Sequence, residues 1–194
     1  HLFPHWNWIP GQTIDMWCYY NHADEVELFV NGKSQGIRRK KVYGAAHEGA
    51  AYQHSTEYHV MWRVAFEPGE VKVVARKDGK QVGEQTIRTA GAPHHIVLKK
   101  TYQGTLAFGA SEPTTFVEVQ VVDKDGNLCP NADNQIFFSS DAKILGTDNG
   151  CQTSLERFTD PHRKAFFGKC VVVLKGKGTL TAKAVDLEQA QIKL

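Results

Sequence analysis

The chain has 194 residues, 41% of them apolar, and a formal charge of +2 from 23 basic and 21 acidic side chains. That is material for one large or two ordinary domains with packed cores. The near-balance of charge excludes the basic footprint of a nucleic-acid binder, and no apolar run has the length of a membrane span or the form of a signal peptide.

In the first half, period-2 alternation and turn chemistry predict strands at 13–20, 25–30, 35–40, 59–66, 71–77 and 81–89, with residues 2–3 adding an edge. Two connections are nearly the same hairpin. Residues 25–36 (EVELFVNGKSQG) turn on Asn31-Gly32, and residues 70–83 (EVKVVARKDGKQVG) turn on Asp78-Gly79. Asn-Gly and Asp-Gly supply the positive φ angles of a two-residue turn, so the pair points to an antiparallel sheet. The run Arg38-Arg39-Lys40-Lys41 reads as a solvated edge, where basic side chains discourage pairing with another sheet. Cys18 shares the phase of Ile14, Met16 and Tyr20, which predicts a buried free thiol.

At residues 89–94 the sequence TAGAPH interrupts the strand pattern, and it divides the chain into domains at 1–91 and 92–194. The second half predicts strands at 95–98, 115–122, 135–139, 143–145, 170–174, 179–184 and 189–194. Phe116-Val117-Glu118-Val119-Gln120-Val121 alternates as a half-buried strand does, and Asp123-Lys124-Asp125-Gly126-Asn127 follows it as a turn. No segment has the 3.6-residue period of a helix of any length. The fold class is therefore all-β, with two consecutive immunoglobulin-like β-sandwich domains. Two loops, 42–58 and 147–169, exceed what a sandwich needs; the second carries Arg157, Phe158, His162, Arg163, Lys164 and Phe166, side chains suited to facing a neighbouring domain.

Little in the chain has the spacing of catalysis. Its nine histidines are scattered without a metal-binding pattern, and no metal or cofactor is expected. The 123–127 segment lacks the glycine position and terminal glutamate of a calcium loop. Gly-x-Ser-x-Gly does not occur, Cys151 has no base beside it in sequence, and Gly176-Lys177-Gly178 reads as a hairpin turn. Cys151 and Cys170 bracket a loop, and both the bridged and the unbridged state stay open. What remains is His5-Trp6-Asn7-Trp8. Its alternating indoles fall on one side of an extended segment, and Trp6, Trp8 and His5 are the candidates for interdomain or carbohydrate contact, with packing the default.

Four separated segments then carry a resemblance: Leu2-Phe3-Pro4-His5-Trp6-Asn7-Trp8, the 24–34 hairpin, Met61-Trp62-Arg63-Val64-Ala65-Phe66-Glu67-Pro68-Gly69, and Arg88-Thr89-Ala90-Gly91-Ala92-Pro93. In this order they resemble the region after the catalytic barrel of bacterial family 2 glycoside hydrolases, chiefly β-galactosidases of the Bacteroides type. Asp123 to Asn127, Pro130-Asn131-Ala132-Asp133, Asp148-Asn149-Gly150 and Arg163-Lys164-Ala165-Phe166 look like the next immunoglobulin-like domain of the same enzymes. The resemblance implies retaining hydrolysis by two glutamates on a (β/α)₈ barrel, for which this chain has no matching motif. Glu57, Glu67 and Glu70 carry no such assignment.

The expectation is a C-terminal accessory region, excised from or processed out of a longer enzyme and inactive alone, with no catalytic residue of its own. Its implied partners are the (β/α)₈ barrel and the other domains of the parent enzyme, and its implied setting is periplasmic or secreted. The alternative is an independent carbohydrate-binding module gripping glycans through exposed tryptophans.

Overall fold

In a computed structural model the described residues are 5–40, 58–105 and 112–194. They contain strands and no helix, and the chain divides into two compact units, His1–Thr89 and Ala90–Leu194. The 2–3 edge and the 42–57 part of the first long loop lie outside the described residues.

The first unit is a sandwich of two antiparallel sheets. One consists of β1 (Thr13–Tyr19) and β4 (His59–Ala65); the other has β2 (Glu25–Val30), β3 (Lys33–Arg38), β5 (Glu70–Lys77) and β6 (Lys80–Arg88) in the order β3-β2-β5-β6. Strict alternation in β1 and β4 sends Ile14, Met16, Cys18, Val60, Trp62 and Val64 inward, where they meet Val26, Leu28, Val71 and Val73. The β2–β3 and β5–β6 turns have positive φ at both central residues, 48° and 78° at Asn31-Gly32 and 49° and 72° at Asp78-Gly79, the type I′ geometry that suits the twist of the strands.

The second unit packs β7 (His95–Gly104), β8 (Thr114–Val122), β10 (Lys143–Asp148) and β12 (Lys169–Lys175), ordered β10-β12-β8-β7, against a second sheet. That sheet holds β9 (Gln135–Ser140), β11 (His162–Lys164), β13 (Thr179–Lys183) and β14 (Ala190–Lys193) in the order β11-β9-β13-β14. Val117, Val119 and Val121 of β8, with Val172 and Leu174 beside them on β12, meet Ile136 and Leu180 of the opposite sheet in its core.

Three elements differ from expectation. β7 continues past 98 to Gly104 through a register shift between Lys100 and Tyr102; Lys99, Lys100 and Thr101 are exposed on this edge strand and carry no apolar alternation. β11 forms inside the 147–169 loop, too short for a periodic signal. Gly176 to Gly178 is not a hairpin turn: β12 already has β10 and β8 on its two sides, so the chain crosses to the opposite sheet to begin β13.

Candidate functional surfaces

The indoles of the 5–8 segment pack against the same cluster in the first unit. Trp6 is 0% exposed, stands edge-on to Phe66 at 5.2 Å and donates its Nε1 proton to the carbonyl of Glu67 at 2.9 Å. Trp8 is half-buried against the core, and His5 lies on it with ring centroids 4.7 Å apart. Trp62, also fully buried, donates to the carbonyl of Gly36 at 2.8 Å. A buried indole needs such an acceptor, and these two have one.

A different aromatic group faces outward. The phase that sends Met16 and Cys18 into the core sends Asp15, Trp17 and Tyr19 to the other side of β1, opposite Arg63, Met61 and His59 of β4. The His59 ring lies parallel to the Trp17 indole, 8° between planes and 4.5 Å between centroids, and is 5.3 Å from Tyr19. Arg63 grips Asp15 through two bonds of 2.7 and 2.9 Å, and its guanidinium holds that carboxyl below the usual range. The sequence singles out Trp6 and Trp8, yet it also carries a signal for Trp17, which falls out of phase with the buried set around Cys18.

In the second unit the 147–163 segment is organised around Arg163, which is 1% exposed. Its Nη2 donates to the carbonyls of Thr147 (2.8 Å) and Arg157 (2.9 Å), its Nη1 to that of Glu156 (3.2 Å) and its Nε to the Thr147 hydroxyl (3.3 Å). Of the six residues expected to face outward from this loop, Arg163 thus faces inward and serves as its internal clamp, while Phe158 and Phe166 are exposed. Glu156 sits beside it at 3.7 Å and accepts from Gln135 and from the backbone of Lys164. An open cleft of about 410 Å³ lies here, with Cys151, Glu156 and Lys164 in its wall. Its charged groups are already matched, Lys164 to Asp133 at 2.7 Å and Glu156 to its own donors, so it is a self-satisfied surface.

Asp123 is 2% exposed and closes the turn after β8. Its carboxylate accepts from the amides of Gly91 (2.8 Å), Asp125 (2.9 Å) and Asn127 (2.8 Å) and from the Asn127 side chain. Burial opposes ionisation, but these donors outweigh it and hold the carboxyl at about 2. Among the described residues no three His, Cys, Asp or Glu side chains cluster as metal ligands.

All four cysteines are free thiols, which closes the alternative of a Cys151–Cys170 bridge. Burial pushes Cys129 up to about 11 and Cys170 up to about 12, and raises Cys18 as well, whereas the Thr153 hydroxyl beside the open Cys151 lowers it. Among the described residues, the carboxyls displaced from their ordinary range move in one direction. Asp15 and Asp133 are lowered by hydrogen bonds from Arg63 and Lys164, Glu27 by Ser34 and Arg76, and Glu118 and Glu156 by Gln120 and Gln135 against opposing burial. A glycosidase general acid needs the reverse, a carboxyl raised toward neutrality. Glu67 is exposed, Glu70 pairs with Arg88 at 2.6 Å, and Glu57 lies outside the described residues.

Comparisons with known proteins agree along the chain. Residues 11–83 match a domain of unknown function (DUF4982), and residues 99–193 match glycoside hydrolase family 2 C-terminal domain 5. The chain is 51% identical over its whole length to the β-galactosidase BoGH2A of Bacteroides ovatus, of which it covers 22%. It is 30% identical over 90% of its length to a putative β-glucuronidase of Formosa agariphila, of which it covers 16%. Among solved structures, a β-glycosidase from Bacteroides vulgatus superposes with a TM-score of 0.83 at 32% identity, covering all of this chain and 24% of that one. The chain thus spans about a fifth of the length of these relatives.

Proposed function

The chain belongs to the C-terminal part of the family 2 glycoside hydrolases, and from that premise we propose that it is a non-catalytic accessory region of a β-galactosidase, bracing a catalytic (β/α)₈ barrel and bordering its substrate cleft. One observation carries the reading: full-length identity of 51% to a β-galactosidase of which the chain is only 22%. The β-galactosidase activity belongs in this reading to the full-length polypeptide, in a periplasmic or secreted setting.

Hydrolysis of a chromogenic β-galactoside tests it directly. The full-length polypeptide is expected to turn over and the isolated chain to be inert; turnover by the isolated chain refutes the reading. The rival of an independent carbohydrate-binding module loses its first candidate contact, because Trp6 has no exposed surface to offer a sugar ring. Titration of the isolated chain with galacto-oligosaccharides is expected to leave its tryptophan fluorescence unchanged.

A further inference from the structure

The two outer faces of the first unit are chemically unlike. The four-stranded sheet presents an ordinary solvent face, cross-linked by charges: Glu27 pairs with Arg76 at 2.8 Å, Glu70 with Arg88 at 2.6 Å, and the Lys72 ammonium lies 5.9 Å from the Phe29 ring. The outer face of β1 and β4 carries Thr13, Asp15, Trp17 and Tyr19 opposite Ala65, Arg63, Met61 and His59, with no lysine and no glutamate. Enrichment in Trp, Tyr, Met and Arg with depletion of Lys and Glu is the composition of a protein interface core. Trp17 is 42% exposed, Tyr19 44%, Met61 40% and the adjoining Tyr58 78%. These four side chains offer roughly 300–500 Å² of mostly apolar surface, comparable to the largest patch on a typical single domain, which is often functional.

We propose that this face is the docking surface for another domain of the same polypeptide, seated on Trp17, Tyr19 and Met61 with Asp15 and Arg63 at its rim. The proposal rests on the accessory reading above, in taking the partner to be part of the parent enzyme. Two observations select that partner. A second copy in free solution needs about 800 Å² per side, more than the patch provides, whereas contacts between domains of one chain bury about 300–750 Å² per side because the tether supplies the effective concentration. A sugar would have to stack on the remaining face of the Trp17 indole, since His59 covers the other at 4.5 Å, and this narrows its footing on the patch. The relatives are four to six times longer than this chain, so the polypeptide has domains to place there.

Hydroxyl-radical oxidation, read by mass spectrometry on the isolated chain and on the full-length polypeptide, tests the proposal. Met61 and Trp17 are expected to oxidise about fivefold more slowly in the full-length protein, as side chains passing from an exposed face to an interface core do, with the exposed Tyr102 as unchanged reference. Equal rates in both overturn the proposal. So does protection of the isolated chain by galacto-oligosaccharide, which would make the face a sugar site, or protection rising with its concentration, which would make it a contact between copies. The double substitution Trp17→Ser and Met61→Ser removes a cross-strand pair and the ring under His59, so it is expected to lower the isolated chain's melting modestly and that of the full-length protein clearly more; an equal loss in both overturns docking in favour of a role inside the unit. β-Galactoside turnover is measured on the same full-length sample. Protection without turnover defeats the proposed activity and leaves docking standing, and turnover without protection does the opposite.

Discussion

Replacing Asp123 by Asn removes one charge from a turn that four donors converge on, while keeping the shape and one carbonyl acceptor. A carboxyl held at about 2 in the folded chain, against 3.8 ordinarily, contributes about 2 kcal/mol at neutral pH. The folded value is the depressed one, so the contribution is fully present above about pH 5 and is lost as the pH falls toward about 2. The difference between wild type and Asp123→Asn is therefore about 2 kcal/mol at pH 7 and closes in acid. For a unit of this size in urea, that moves the unfolding midpoint by about 1–2 M. The chain carries its own internal control. All four tryptophans, at 6, 8, 17 and 62, are in the first unit, so fluorescence follows that unit while far-UV circular dichroism follows both. The circular dichroism transition of the second unit is expected to shift and the fluorescence transition to stay. An unchanged midpoint at pH 7, a difference that persists at low pH, or a shift in fluorescence refutes the reasoning.

Arg163→Met removes the donor that ties together the carbonyls of Thr147, Glu156 and Arg157, of which the last keeps the Asp160 amide at 3.1 Å, and is expected to cost the second unit about 2 kcal/mol in the same unfolding measurement, with Arg163→Lys recovering less than half because an ammonium cannot reproduce the planar fork. Gly168→Ala brings a Cβ to 2.3 Å from the carbonyl oxygen of Cys129 at a φ of +74°, whereas Gly126→Ala, at φ +82°, meets nothing within 4 Å. The first is expected to lower the melting temperature clearly more than the second, whose cost is the left-handed backbone alone, about 1 kcal/mol. A thiol reagent applied to the native chain is expected to modify Cys151 alone, since the other three cysteines are buried with their thiols raised; rapid reaction of all four on unfolding completes the check.

Strand positions and hairpin turns were legible wherever a sheet has one wet and one dry face, because burial then imprints a period of two on the sequence. Ile14, Met16 and Cys18 show it, and Asn31-Gly32 and Asp78-Gly79 announce their turns by the φ angles they tolerate. The pattern fails where neither face is buried, as at Lys99, Lys100 and Thr101 in β7, and where an element is three residues long, as in β11. Sheet membership was not legible between β12 and β13: Gly176 to Gly178 looks local in sequence, but whether it closes a hairpin depends on β10 and β8 having taken both edges of β12. The inward turn of Arg163 was hidden for a similar reason. Three of its four acceptors are the backbone carbonyls of Thr147, Glu156 and Arg157, which carry no side-chain signature. The Trp17 face was in principle readable, since alternation places Trp17 opposite in phase to Cys18 as surely as it buries Met16.

Asp123 and Arg163 are both buried ionic devices in the second unit, and their shared character bears on what that unit is for. Burying a charge and compensating it with hydrogen bonds is seldom more stabilising than well-packed apolar side chains of similar volume. The return from such a site is geometric: four directed bonds admit one arrangement, where an apolar contact admits several. Asp123 uses its bonds to fix Gly91 and the 123–127 turn, and Arg163 uses its own to fix the path from Thr147 to Arg157. Fixing that path also places the exposed Phe158 ring beside the Arg163 guanidinium, which lies 5.4 Å from the ring centroid. A binding module that closes around a mobile glycan gains from adaptable loops. A brace between domains gains from loops whose conformation is settled before contact, because ordering them on association would subtract from the binding free energy. Under the bracing role proposed above, the polar clamps of the second unit and the aromatic, lysine-free face of the first would answer the same requirement by different chemistry, one through rigidity and the other through apolar surface.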